Sequence, residues 1–356
     1  MKSDKEKTKI LFDRDGKKII LYKEIKDDIV NLFDNIVWGT GDNQYEHKDS
    51  RRRLELLDKP NFVELHTNNQ LAGICLFINR RVYFKGKSWN YFAVRYLFST
   101  PEFRHTGIAS RYAGKAMELV EKRQAEPTFF IGIVEHRNKR SFRLVSKVGY
   151  YPFATIKTIG FSRFFPSFSK KVRKIESESE KQQVFKLLKD FYSDYSFVHF
   201  NSVFKETYYI YVEDGEIIAG VQAQEALWVI KNLGQGWMKA AMKVLPYIPI
   251  LKTVFNPKKF EFLGFDGIFY KKGRTDALFS VFSHLLKKHG LKSAMFWADE
   301  KSPLYKELVA TKSLGLLNKF TDEGNSFMMV KPINVPEEQL EKLKQAPTYH
   351  SAFDFL

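Results

Sequence analysis

The stretch from residue 91 to about residue 124 most constrains how this chain can fold. An apolar, aromatic run at 91–98 predicts a strand. It enters a short turn, Ser99-Thr100-Pro101-Glu102-Phe103, and then Arg104-His105-Thr106-Gly107-Ile108-Ala109 opens a helix. A strand that turns directly into a helix presents backbone N–H groups with no internal partner, and the helix dipole adds positive potential there. Such a corner suits a phosphate, and a glycine lets the anion lie close to the main chain. Arg104 adds a cation at the mouth of the turn, and Thr106 adds a hydroxyl.

A second element follows. Residues 128–134 predict an apolar strand, and Asn138-Lys139-Arg140-Ser141-Phe142-Arg143-Leu144-Val145-Ser146-Lys147-Val148-Gly149-Tyr150 comes after it. Phe142, Val145 and Val148 make one apolar stripe at helical spacing, so this is a helix, with Gly149 as its C-terminal cap.

The first stretch resembles the acyl-CoA signature of the GNAT superfamily of N-acetyltransferases. Arg104, Gly107 and Ala109 fill its three fixed places. The second resembles the next element of that superfamily: Asn138, the small Ser141, Leu144, then Lys147-Val148-Gly149-Tyr150. The resemblance implies an α/β (α+β) fold with a mixed, mostly antiparallel sheet flanked by helices. It implies acyl-CoA, acetyl-CoA in the first instance, as co-substrate, and direct acyl transfer to an amine acceptor. Phe98, Ser99, Arg104, His105, Thr106, Gly107, Ile108, Ala109, Asn138 and Ser141 would contact the cofactor. A backbone N–H at Phe98 or Ser99 would face the thioester carbonyl, where it could stabilise an oxyanion. Asn138 would bond the pantetheine arm. Asparagine also favours the helix N-cap, and the two roles are compatible.

The catalytic groups are less plain. Many members of the superfamily carry a tyrosine that protonates the leaving thiolate; here that place holds Val145, and Tyr150 and Tyr151 stand at the far end of the helix. Glu135, at the end of the strand before Asn138, is a candidate base acting through water, against the reading of a solvated strand end. His136 is a weaker one.

The second half repeats the outline. Residues 208–212 and 216–224 predict strands joined by the turn Glu213-Asp214-Gly215; strand, helix, strand and helix follow, and 327–330 closes the set. Its counterpart of the phosphate turn, Lys271-Lys272-Gly273-Arg274-Thr275-Asp276, lacks the Arg-to-Gly spacing and puts Asp276 where an anion would be repelled. The expected organisation is therefore two GNAT-like domains: 8–166, binding acyl-CoA, and 172–356, a degenerate copy. The copy is interrupted by an insertion at 226–256 that holds an amphipathic helix at 237–245. The insertion is a core or inter-domain plug, a lid over an apolar acceptor, or a peripheral membrane-surface helix. The loop at 38–50 is expected to close over the acceptor.

Of 356 residues, 58 are Lys or Arg and 41 Asp or Glu, a net charge of +17. Residues 1–170 hold 32 against 19 (+13), and 171–356 hold 26 against 22 (+4). The basic first half suits a polyphosphate ligand. Nucleic acid is not expected as the primary ligand, because no aromatic–basic ribbon or zinc spacing accompanies the charge. One cysteine, Cys75, in an apolar run, fits a reducing compartment and a packed thiol. The charged N-terminus is not a signal peptide, no apolar run is long enough to span a bilayer, and no metal site is expected; the reading is a cytoplasmic protein. Two other functions remain open: a non-catalytic CoA-binding or scaffold protein, and a tandem transferase that uses aminoacyl-tRNA.

Overall fold

The computed structural model describes residues 8–41, 43–104, 106–233, 247–321 and 324–356. In chain order they form β1 (Thr8–Arg14), β2 (Lys17–Tyr22), α1 (Asp27–Asn35), β3 (Val37–Thr40), β4 (Asn43–His47), α2 (Ser50–Leu56), β5 (Pro60–Thr67), β6 (Gln70–Phe84), β7 (Lys87–Ser99), α3 (Ile108–Glu121), β8 (Thr128–Glu135), α4 (Lys139–Lys147) and β9 (Tyr151–Ser162). Then come β10 (Val172–Lys174), α5 (Glu178–Phe191), β11 (Tyr208–Glu213), β12 (Glu216–Asn232), α6 (Pro249–Lys252), β13 (Phe260–Tyr270), α7 (Thr275–Lys288), β14 (Ser293–Asp299), α8 (Pro303–Ala310), α9 (Leu316–Thr321), β15 (Asn325–Ile333) and α10 (Glu337–Gln345). This is the mixed α/β class, with mostly antiparallel sheets flanked by helices.

The chain divides into two compact units that are not consecutive in sequence. One takes 8–26, 57–154 and 326–345; the other takes 27–56, 155–325 and 346–356. The first unit's sheet has the order β1-β2-β5-β6-β7-β8-β15, with β7–β8 as its parallel pair. The second unit's order is β10-β11-β12-β13-β14-β9, with β13–β14 as its parallel pair. From β2 onward the first order corresponds strand for strand to the second, with β1 as an extra edge strand, except that each half's last strand completes the other half's sheet. Ser326–Ile333 of β15 pairs with β8, and β9 pairs with β14 from Ile156 to Ser162.

Three expectations change accordingly. The boundary near 166–172 does not separate the units, because β15 and α10 lie in the first and the stretch 27–56 in the second. The expected loop at 38–50 is largely a hairpin, β3–β4, whose β4 pairs with β12. The insertion starts later than residue 226, since β12 runs on to Asn232. The helix expected at 237–245 lies outside the described residues.

Local chemistry explains most elements. The Ser177 hydroxyl caps α5 by accepting the Glu180 N–H, and Glu180 accepts the Glu176 N–H at 2.7 Å, a reciprocal arrangement that satisfies two orphan donors. Asp214 and Gly215, both at positive φ, form the tight hairpin turn between β11 and β12. In the first unit Ala116, Met117 and Val120 of α3 and Val145 of α4 pack onto Phe77, Phe92 and Phe130 of the sheet. In the second, Leu278, Val281, Phe282 and Leu285 of α7 do the same against Phe161 and Phe265. Fully burying a Leu, Val, Met or Phe side chain of this kind contributes about 1.5–3 kcal/mol.

Candidate functional site

The site begins where β7 and β8 part. Their parallel ladder runs from Asn90↔Thr128 to Val94↔Gly132 and stops, although β7 continues to Ser99 and β8 to Glu135. A bulge against β6 produces the divergence: Leu76 pairs with Arg95 but Ile74 with Phe98, and Tyr96 is held at φ +52°. A bulge adds local twist and turns the following residues away from the old register. Gly73 then lets the β7 exit press onto β6. A Cβ there would lie 2.8 Å from the Phe98 carbonyl oxygen, a contact with backbone that no side-chain rotation relieves.

Thr100 fastens the exit by donating its N–H to the Ala72 oxygen and its hydroxyl to the Leu71 oxygen, each at 3.1 Å. A short 3₁₀ turn, Pro101–Phe103, leads to Gly107, which stands at φ +71° as the N-cap of α3. The space beside Gly107 is open: an added Cβ would meet no atom within 4 Å. The helical ladder starts with the Arg111 N–H donating to the Gly107 oxygen, so the amides of the first turn have no partner within the helix. Arg104 is exposed; its Nε donates to the Ser99 oxygen at 3.2 Å and its guanidinium lies over the Phe98 ring. Thr106 donates to the Phe103 oxygen at 3.0 Å. His105 lies outside the described residues, as do the side chains of Ile108 and Ala109.

α4 supplies the other side of the turn. Asn138 is its N-cap: Oδ1 accepts the Ser141 N–H at 2.9 Å, which leaves the amide Nδ2 donors for other use. Arg140 reaches the turn itself, its Nη2 donating to the Arg104 main-chain oxygen at 2.6 Å. Sequence reasoning assigned no role to Arg140, although it stands between Asn138 and Ser141; only the fold shows that it faces the turn. Glu135 is half-buried at the end of β8, and its main-chain oxygen accepts the Asn138 N–H. The His136 ring packs on Phe327.

Val145, at the place of the expected acid, is buried in the core. Tyr150 is buried beside it with no hydrogen-bond partner for its hydroxyl among the described residues, and desolvation, with Glu121 and Cys75 nearby, holds that hydroxyl in its neutral form well past its ordinary range. Cys75 is buried too, its thiol pushed up to about 12 by desolvation. Among the described residues no three His, Cys, Asp or Glu side chains are grouped so as to hold a metal ion.

The second unit repeats the geometry with different chemistry. Its parallel pair is only Leu263↔Ala294 and Gly264↔Met295, and β13 bulges against β12 near Gly267, at φ +59°. Here the split is occupied by the chain's own segment 348–356. Asp299 accepts the Thr348 N–H and hydroxyl at 2.8 and 2.9 Å, Asp266 accepts the Ala352 N–H at 2.9 Å, and Leu356 packs on Gly264. The counterpart turn has Gly273 at φ +77°, but Arg274 is engaged by Glu213 at 2.7 Å and by Asp276 at 3.1 and 3.2 Å.

Solved structures share this architecture. Saccharomyces cerevisiae N-myristoyltransferase with bound myristoyl-CoA superposes with a TM-score of 0.57 at 10% identity, over 87% of this chain and 76% of that one. A second structure of that enzyme with myristoyl-CoA gives 0.51 at 10% identity, over 86% and 87%. The chain shares the fold of that enzyme. A GCN5-related N-acetyltransferase from Sphaerobacter thermophilus is also similar, at 11% identity and a TM-score of 0.47 over 86% and 85%. No family model matches the sequence, and no curated protein matches it. Within this fold, the first unit carries the early-ending parallel pair, the bulged strand and the glycine turn; the second carries the same strands with its turn neutralised.

Proposed function

We propose that the chain is an acyl-CoA-dependent N-acyltransferase whose first unit binds the cofactor. The reading rests on one observation: the β7–β8 ladder ends at Val94↔Gly132, and the freed β7 edge leads straight to the open Gly107 turn. A pantetheine arm can pair with such an edge as an added strand, and a pyrophosphate can accept from the first amides of α3. Arg104 and Arg140 would then flank the phosphates. The Asn138 amide would meet the arm, and a main-chain N–H at Phe98 or Ser99 the thioester oxygen.

In the reaction the amine lone pair attacks the thioester carbon. The carbonyl electrons move onto oxygen, the C–S bond breaks as the carbonyl re-forms, and CoA leaves as thiolate. The ammonium proton must first leave, and the thiolate must gain one. Glu135, at the end of β8, would take up the first proton through water. Val145 cannot perform the second, and buried, neutral Tyr150 is poorly suited to it, so a solvent proton is the simplest source. That same replacement favours a second reading, acyl-CoA binding without turnover.

Calorimetric titration of acetyl-CoA and of a long-chain acyl-CoA tests the first step. Micromolar binding that disappears in Arg104→Glu with Gly107→Asp supports the reading; a folded chain that binds neither thioester sinks it. Thioester consumption that depends on added amine separates the enzyme from the binding protein.

A further inference from the structure

We propose that the loop joining β9 to β10, in the second unit, docks the chain on an anionic phospholipid surface. The loop reads Arg163-Phe164-Phe165-Pro166-Ser167-Phe168-Ser169-Lys170-Lys171. Phe165 is 85% exposed and Phe168 61%. These rings do not project because the loop is unanchored. Pro166 is buried, the Ser167 N–H donates to the Ser283 hydroxyl at 3.0 Å, and the Ser169 N–H donates to His284 Nδ1 at 3.3 Å. Arg163 ties the loop's start to the fold through the Ser313 oxygen at 2.8 Å. The backbone is pinned to α7 while two large apolar side chains face outward.

Exposed phenylalanines on a fixed loop cost solvation energy unless something covers them. The surrounding charge identifies the cover. Lys170 is exposed on the loop; Lys287 and Lys288 are exposed one helical turn beyond Ser283 and His284, so all three share that face. Of the acids nearby, Glu213 holds Lys171 and Arg274, and Glu225 holds His289. Projecting aromatic rings among exposed lysines match a bilayer interface, where rings enter the headgroup layer and ammonium groups meet anionic lipid. Single-stranded nucleic acid would instead need rings lining a basic groove, on which bases stack.

Cosedimentation of the full chain with unilamellar vesicles tests the proposal. Vesicles of phosphatidylcholine alone are compared with vesicles containing about a third phosphatidylserine. The chain is expected to pellet with the anionic vesicles, much less with the neutral ones, and less as salt rises. Phe165→Ser with Phe168→Ser is expected to weaken binding about tenfold. Each of Lys170→Glu, Lys287→Glu and Lys288→Glu is expected to weaken it by about fivefold or more. The substituted side chains are exposed, so an unchanged thermal midpoint certifies folding. Failure of the wild-type chain to pellet with anionic vesicles overturns the proposal, as does pelleting that the two serines leave unchanged. Retention on heparin together with that second outcome would assign the surface to a polyanion instead.

Discussion

The Arg140 guanidinium donates to the main-chain oxygen of Arg104 at 2.6 Å, so a cation from α4 closes over the turn that opens α3. One oxygen engages part of the Arg140 fork; the remaining donors have no other partner among the described residues and can meet a phosphate bidentately. Arg140→Ala is expected to weaken acyl-CoA binding about tenfold, with little change in stability because the side chain is exposed. Lys139→Ala, its neighbour in the same helical turn, is the control and should change affinity far less. Calorimetry on both variants decides; equal losses would make the effect one of net charge rather than of geometry.

Two glycines allow the cofactor site to be assigned to one unit. Gly107 and Gly273 stand at φ +71° and +77° before α3 and α7, and an added Cβ would meet nothing within 4 Å at either. Substitution therefore carries a similar conformational cost at both, about 1 kcal/mol. Gly107→Asp places a carboxylate at the first-turn amides of α3 and is expected to abolish acyl-CoA binding. Gly273→Asp stands beside an Arg274 already engaged by two carboxylates and is expected to leave binding unchanged. The reverse pattern would move the site to the second unit.

The local half of this architecture was legible in the sequence and the global half was not. The β7 exit, the glycine turn, the α4 cap at Asn138 and the Asp214-Gly215 hairpin follow from residue type and spacing, because short-range sterics and capping decide them. Strand partnership does not follow, since an apolar run such as Phe327–Val330 carries no label for its neighbour. It was expected to close the second sheet and instead pairs with β8. The β3–β4 hairpin looks like loop in the sequence because Gly39, Gly41 and polar residues dominate it, while its pairing comes from β12 across the sheet. Arg140 went unassigned for the same reason: its partner is a main-chain oxygen far away in sequence.

Gly73 tests whether the shape of the β7 exit matters for the ligand. Alanine there would bring a methyl to 2.8 Å from the Phe98 oxygen, so β6 and β7 must separate where Ile74 pairs with Phe98. Gly73→Ala is expected to cost about 1–3 kcal/mol of stability. Acyl-CoA affinity should fall along with it, because the edge offered to pantetheine shifts. Thermal unfolding and calorimetry together check this. Full affinity in a destabilised variant would show that the exit does not contact the cofactor.

The tail seated in the second unit predicts a pH response. Thr348 is held by Asp299, and its hydroxyl lies 2.6 Å from His350 Nε2. Burial lowers the His350 pKa from its ordinary value to about 4; Asp299 and Asp354 oppose the shift and His199 adds to it. Between pH 6.5 and 4 the unfolded chain therefore takes up a proton that the folded chain refuses. The stability due to this residue is complete above pH 6.5 and is lost as pH falls towards 4. Part of the ring stays accessible, so the loss is on the order of 1–2 kcal/mol rather than the full shift. Carboxylates titrate over the same range, which makes the difference between wild type and His350→Gln the informative quantity. Denaturant unfolding at pH 7.5 and pH 4.5 should show a shallower decline in the variant. Equal slopes, or a wild-type chain that gains stability on acidification, would mean that His350 is not held neutral by its surroundings.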